Sequence, residues 1–142
     1  MPPLTTAGCC RPPCRNYFEN DINATLIDGI AAGMVSSGLQ AAGWEYVNLD
    51  AGAWAPDRSA GGEILADATK FPQGMGAVAA AVHARGLKFG MYTDLSNRAV
   101  GKVCGTGPGS FGSFTQDANT FAKIGIDFLK VDYWLVLSLI PV

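Results

Sequence analysis

Histidine is almost missing from this sequence: His83 is the only one among 142 residues. The four cysteines stand at positions 9, 10, 14 and 104, a spacing that fits no common zinc pattern, so no metal is expected. Charge is sparse as well. Charged residues make up 15% of the chain, the net charge is −2, and the lack of a basic block speaks against a protein that tracks nucleic-acid phosphates. No apolar run reaches the length needed to cross a bilayer; the tail "WLVLSLIPV" is too short and reads as a chain interrupted mid-core. The N-terminal "MPPLTTAGCCRPPCR" lacks the apolar stretch of a signal peptide, so localisation stays open, and residues 1–15 are expected to be irregular. The glycines at 101, 105, 107 and 109 lack the GK[ST] ending of a phosphate-binding loop, and no cofactor is expected.

What is present is apolar and repetitive. A hydrophobic content of 49% suits one folded domain with a modest core, over residues 16–142. Three segments resemble one another: "GWEYVNLD" (43–50), "GLKFGMYTD" (86–94) and "GIDFLKVD" (125–132). Each opens with Gly, an apolar residue, a charged residue and an aromatic, and each closes on Asp. Their glycines recur at roughly 40 residues, the length of one βα unit with generous loops.

A helical pattern precedes each segment. Ile22, Leu26, Ile30 and Met34, with Ile27, Ala31 and Val35 beside them, predict a helix over 22–41 capped by Asn20 or Asp21. Met75, Val78, Ala79 and Val82 predict a second over 74–85. Phe114, Ala118, Phe121 and Ala122 predict a third over 113–124. Gly43, Gly86 and Gly125 stand where left-handed C-terminal caps are wanted. Strands follow at 44–50, 87–93 and 126–132, with a further strand possible before residue 18. Strands alternating with helices imply a parallel sheet, with all strand C-termini at one edge. Asp50, Asp94 and Asp132 then share one rim. The second repeat has one residue more between Gly86 and Asp94, so Asp94 is expected to face differently, through a bulge.

The last repeat poses a problem of its own. Lys130 and Asp132 share a strand face with Ile126 and Phe128, while Leu129 and Val131 take the other. An unpaired buried charge is costly, so the two mark a point where the strand leaves the core for a site. A Schiff-base role for Lys130 would need a neutral amine, and a carboxylate two residues away holds it charged. The loops 51–73 and 95–113 are long enough to be functional. Trp54 is either a stacking platform or a packed residue, and His83 is expected on the surface or in packing. Asn23-Ala24-Thr25 forms a glycosylation sequon.

"MVSSGLQAAGWEYVNLD", "KFPQGMGAVAAAVHARGLKFGMYTD" and "GPGSFGSFTQDANTFAKIGIDFLKVDYW" resemble, in order and spacing, the N-terminal half of the catalytic barrel of glycoside hydrolase family 27, the α-galactosidases and α-N-acetylgalactosaminidases. The likeness covers about residues 16–134. It implies a partial (β/α)8 TIM barrel, roughly its first four βα units, and a retaining hydrolysis of terminal α-D-galactosyl residues. It implies Asp132 as nucleophile, with Lys130, Asp50, Tyr92 and Cys104 as substrate-binding residues. Asp94 is expected to be a structural acid that bonds loop amides. The implied partner is a galactoside, with no nucleic acid or membrane, and open barrel edges would favour self-association.

Four departures from the family pattern accompany the likeness. Asp50 is followed by Ala51 where the family has a second acid. "PPCRNYF" lacks the tryptophans of the family's first strand. Trp134 replaces a cysteine that pairs in many members, which leaves Cys104 without that partner. The family's acid/base carboxyl lies on a strand later than Val142. The alternative reading is therefore a catalytically inactive truncated remnant.

Overall fold

A computed structural model describes residues 5–7, 18, 21–95 and 107–132; the four cysteines and Trp134 lie outside them. The elements are β1 (Thr5–Ala7), α1 (Ala24–Ser36), β2 (Tyr46–Leu49), α2 (Met75–His83), β3 (Lys88–Asp94), α3 (Phe114–Ile124) and β4 (Phe128–Asp132). The sheet runs β1-β2-β3-β4 with every pairing parallel. Parallel neighbours need a crossover, and the three helices supply one between each successive pair of strands. A strand does precede residue 18, within the segment expected to be irregular.

Strand alternation divides the sheet. Val47, Leu49, Phe89 and Met91 share one face and are buried with Ile27, Ala31, Met34, Val78, Ala79, Val82 and Phe121 from all three helices. The helices therefore cover that face alone. A fully buried side chain of this kind contributes about 1.5–3 kcal/mol relative to exposure. The opposite face carries Tyr46, Asn48, Gly90, Tyr92, Phe128, Lys130 and Asp132, which leaves it for the site.

The stripe expected on α2 is buried as a whole. Three other expectations are corrected. The first helix ends at Ser36, because Gly38 takes a positive φ (80°) and its N–H donates to the Val35 carbonyl; Gly43 closes the turn that follows. Its cap is Asn23, the sequon asparagine, whose Oδ1 accepts from the Leu26 amide at 2.9 Å. In α3 the buried residues are Asp117 and Phe121, while Phe114, Ala118 and Ala122 are exposed. The helix is turned so that an acid faces inward, and a partner from the β2–α2 loop makes that tenable.

Candidate active site

The rim is built by register. Asn48 lies opposite Gly90, and Gly90 opposite Phe128, so Asp50, two residues beyond Asn48, comes level with Tyr92 and Lys130. Asp94 and Asp132 pair two residues further along. The expected bulge is absent: β3 and β4 stay in continuous register from Gly90 to Asp94, and Asp94 keeps the parity of Tyr92. The extra residue in the second repeat lengthens the strand instead.

Four of the five site residues anticipated from the sequence converge here; the fifth, Cys104, lies outside the described residues. Lys130 Nζ donates to Asp50 Oδ2 at 2.6 Å. The Asp50 carboxylate is 3% exposed, and its Oδ1 accepts from the Ala51 amide at 2.8 Å. The Lys130 ammonium stands 5.3 Å from the centroid of the Tyr92 ring, within reach of its negative face. Tyr92 OH donates to Asp132 Oδ2 at 3.3 Å. Two acids, an ammonium and a phenol thus meet at the C-terminal ends of parallel strands. Such a set can hold hydroxyl groups and present one partly exposed carboxylate, Asp132, to an electrophile. Among the described residues no cluster of His, Cys, Asp and Glu has metal-holding geometry.

Trp54 does not stack in the site. It is buried at 5% exposure, packs against Phe121 with ring centroids 5.8 Å apart, and donates from Nε1–H to the Tyr92 carbonyl at 2.9 Å. Asp94 is buried, and the Ser110 amide bonds its backbone carbonyl at 2.7 Å. His83 sits far along the chain topology from the rim, where Nε2 meets Asp127 Oδ2 at 2.8 Å.

Several residues that shape the rim were not singled out from the sequence. Arg58 forms a two-pronged ion pair with Asp117, Nη1 to Oδ1 at 2.6 Å and Nη2 to Oδ2 at 2.7 Å. The hydrogen bonds that Arg58 donates to this carboxylate raise its pKa above the ordinary value. Thr93 and Ser110 hydroxyls meet at 2.6 Å. Asp117 stands four residues before Phe121, on the same helix face, but only its remote partner Arg58 makes a buried acid tenable there. The long loop after β2 is itself ordered, with an antiparallel bridge between Trp54 and Ala66.

Comparison with known proteins fits this geometry. A family model described as Alpha galactosidase A matches residues 7–139. The chain is 44% identical over 118 residues to alpha-galactosidase A of Cellvibrio japonicus, a match covering 83% of this chain and 28% of that protein. It is 41% identical over 123 residues to human alpha-galactosidase A, covering 87% and 28%. Among solved structures, alpha-galactosidase I from Mortierella vinacea superposes with a TM-score of 0.77 at 35% identity, over 82% of this chain and 28% of that one. The Saccharomyces cerevisiae enzyme gives 0.76 at 34% identity, over 82% and 25%. The chain spans little more than a quarter of the relatives it matches. Its four-stranded sheet is accordingly part of a (β/α)8 barrel.

Proposed function

The chain belongs to glycoside hydrolase family 27, the α-galactosidase family, and from that premise we propose that it carries the nucleophile side of a retaining α-galactosidase site. Asp132 is the nucleophile. Its carboxylate oxygen forms a bond to the anomeric carbon of a terminal α-D-galactosyl residue as the glycosidic oxygen leaves, and water then hydrolyses the resulting ester. Lys130 and Asp50, joined at 2.6 Å, hold sugar hydroxyls as one unit, the ammonium donating and the carboxylate accepting. Tyr92 orients Asp132 through its hydroxyl. Cys104 is carried as a substrate contact on the family likeness alone. The substrate class is supported by a relative, the S. cerevisiae enzyme solved with raffinose.

The observation that carries this reading is the meeting of Asp50, Tyr92, Lys130 and Asp132 at one rim. A galactosyl donor with a fluoride leaving group, and fluorine at C2 to slow the second step, needs no acid to protonate its leaving group. With it, mass spectrometry should find a galactosyl ester on Asp132, and none after Asp132→Asn. An ester on any other residue, or labelling that survives the substitution, overturns the assignment.

Ala51 favours a second reading, an inactive remnant. It is buried at 7% exposure where the family has a second acid, so one grip on the sugar is gone. On that reading the donor leaves Asp132 unlabelled while galactose still binds weakly. We also propose self-association through β4, because Phe128 and Val131 on its two faces are 38% and 50% exposed. Sedimentation velocity showing only monomer at high concentration would exclude it.

A further inference from the structure

Arg58 lies on the loop after β2, away from the four residues that converge at the rim, yet its contacts lead to them. Besides the two bonds to Asp117, Nη1 donates to the Gly62 carbonyl at 2.8 Å and Nη2 to the Gly109 carbonyl at 2.8 Å. Asp117 is 1% exposed and the Arg58 side chain 18%. A planar fork bound to a carboxylate on one side and to carbonyls of two loops on the other fixes angle as well as distance, which an ammonium on a flexible stem cannot do.

Each partner hands the constraint on. Gly109 precedes Ser110, whose amide bonds the Asp94 carbonyl at 2.7 Å and whose hydroxyl meets Thr93 at 2.6 Å. Asp94 is paired with Asp132, and the Leu95 amide donates to the Asp132 carbonyl at 3.0 Å. From the other end of the same loop, Trp54 holds the Tyr92 carbonyl while resting on Phe121, one turn beyond Asp117. Gly107 passes so close that a Cβ there would stand 2.8 Å from the Trp54 Cβ. The β2–α2 loop is therefore strapped over the end of β3, and Arg58 is the buckle.

We infer that Arg58 is a positioning residue: through Asp117, Gly109 and Ser110 it sets where the ends of β3 and β4, and with them Tyr92 and Asp132, stand relative to the sugar. It touches no substrate. The inference rests on the assignment of Asp132 as nucleophile for its functional half, and on backbone geometry for the rest.

The test uses the whole chain with Arg58→Met, Arg58→Lys and, should those fold poorly, Asp117→Asn, which keeps shape and one acceptor. Two readouts are taken. Amide hydrogen exchange should quicken by about tenfold or more at Ser110 and Leu95 while Ala31 in α1 and Val82 in α2 stay within about threefold, the pattern of local rather than global opening. The rate of galactosyl-ester formation on Asp132 should fall by about 10–100-fold with galactose affinity changed far less, since a small misplacement of reacting groups is enough. Arg58→Lys should behave like Arg58→Met, because the charge survives but the fork does not. Exchange that quickens equally everywhere makes Arg58 a general stabiliser and overturns the inference. So does local quickening with an unchanged labelling rate. If the unsubstituted chain forms no ester, the nucleophile assignment fails by itself, and the exchange pattern alone decides whether Arg58 positions the rim.

Discussion

Lys130 reaches Asp50 across a strand that belongs to neither. β2 and β4 are separated by β3, and the 2.6 Å contact between Nζ and Oδ2 passes over the ring of Tyr92, which lies level with both residues. The ion pair is thus a tie across three strands at the end of the sheet where the site opens. It also gives a physical reason for the lysine in the sequence "LKVD": the ammonium serves a buried carboxylate on another strand.

Removing that tie should be measurable. In Lys130→Met the Asp50 carboxylate, 3% exposed, keeps the Ala51 amide as its one remaining hydrogen-bond partner among the described residues. Lys130 is 39% exposed, so the cost should fall below that of breaking a fully buried pair, at about 1–3 kcal/mol. Asp50→Asn with Lys130→Met should cost clearly less than the two single changes added together. Additive free energies in urea denaturation would mean that the two groups are not coupled.

Tyr92→Phe is expected to be mild for the fold. The 3.3 Å separation from Asp132 Oδ2 is long for an O–H···O bond, and the ring stays in place under Lys130. A loss of about 1 kcal/mol or less is expected in denaturation. A loss well beyond that would show that the hydroxyl holds the rim together and does not merely orient Asp132.

Much of this was legible in the sequence. The repeats fixed three strands and their parallel order, because Gly, aromatic and Asp recur with βα spacing, and strand parity put Lys130 and Asp132 on one face. The α2 stripe was legible because its four apolar residues meet no competing polar group. What the pattern hid were long-range polar pairs. The buried face of α3 turns on Asp117, which looks like a surface residue until Arg58, 59 positions earlier, is brought to it. Trp54 reads equally well as platform or packing until the Tyr92 carbonyl is seen at its indole N–H. The end of α1 was missed because apolar periodicity runs on past Ser36, whereas Gly38 turns the chain away.

Gly90 is fixed by its neighbour in β2. A Cβ at this position would lie 1.8 Å from Asn48 Oδ1 and 2.8 Å from its Cγ. Asn48 is 2% exposed, and both its side-chain polar atoms lack a hydrogen-bond partner among the described residues. Gly90→Ala should therefore cost about 1–3 kcal/mol by overpacking. Adding Asn48→Ala removes the severe clash, leaving a 3.1 Å approach to Phe128 Cδ1, and removes the unpaired amide, so the double variant should be more stable than Gly90→Ala alone. A double variant that is less stable would mean that Asn48 contributes something its geometry does not reveal.

Stability should also depend on pH at the opposite end of the sheet, where Asp127 introduces β4. Partial burial pushes its carboxyl upward, but the Phe89 amide on Oδ2 at 2.8 Å, followed by His83 and then Lys88, outweighs this and holds it below the usual aspartate range. A folded-state pKa below the unfolded one means that the folded chain resists protonation more than the unfolded chain does. The stabilisation is then fully present above the unfolded value, about 3.9, and is lost as pH falls through the folded one. Urea denaturation of the parent chain and of Asp127→Asn between pH 5 and 2 isolates the contribution, since the other carboxylates titrate in both. The parent should be the more stable at pH 5, and the gap should narrow steadily toward pH 2. A gap that stays constant, or widens on acidification, would show that the Phe89 and His83 contacts do not favour the charged form of Asp127.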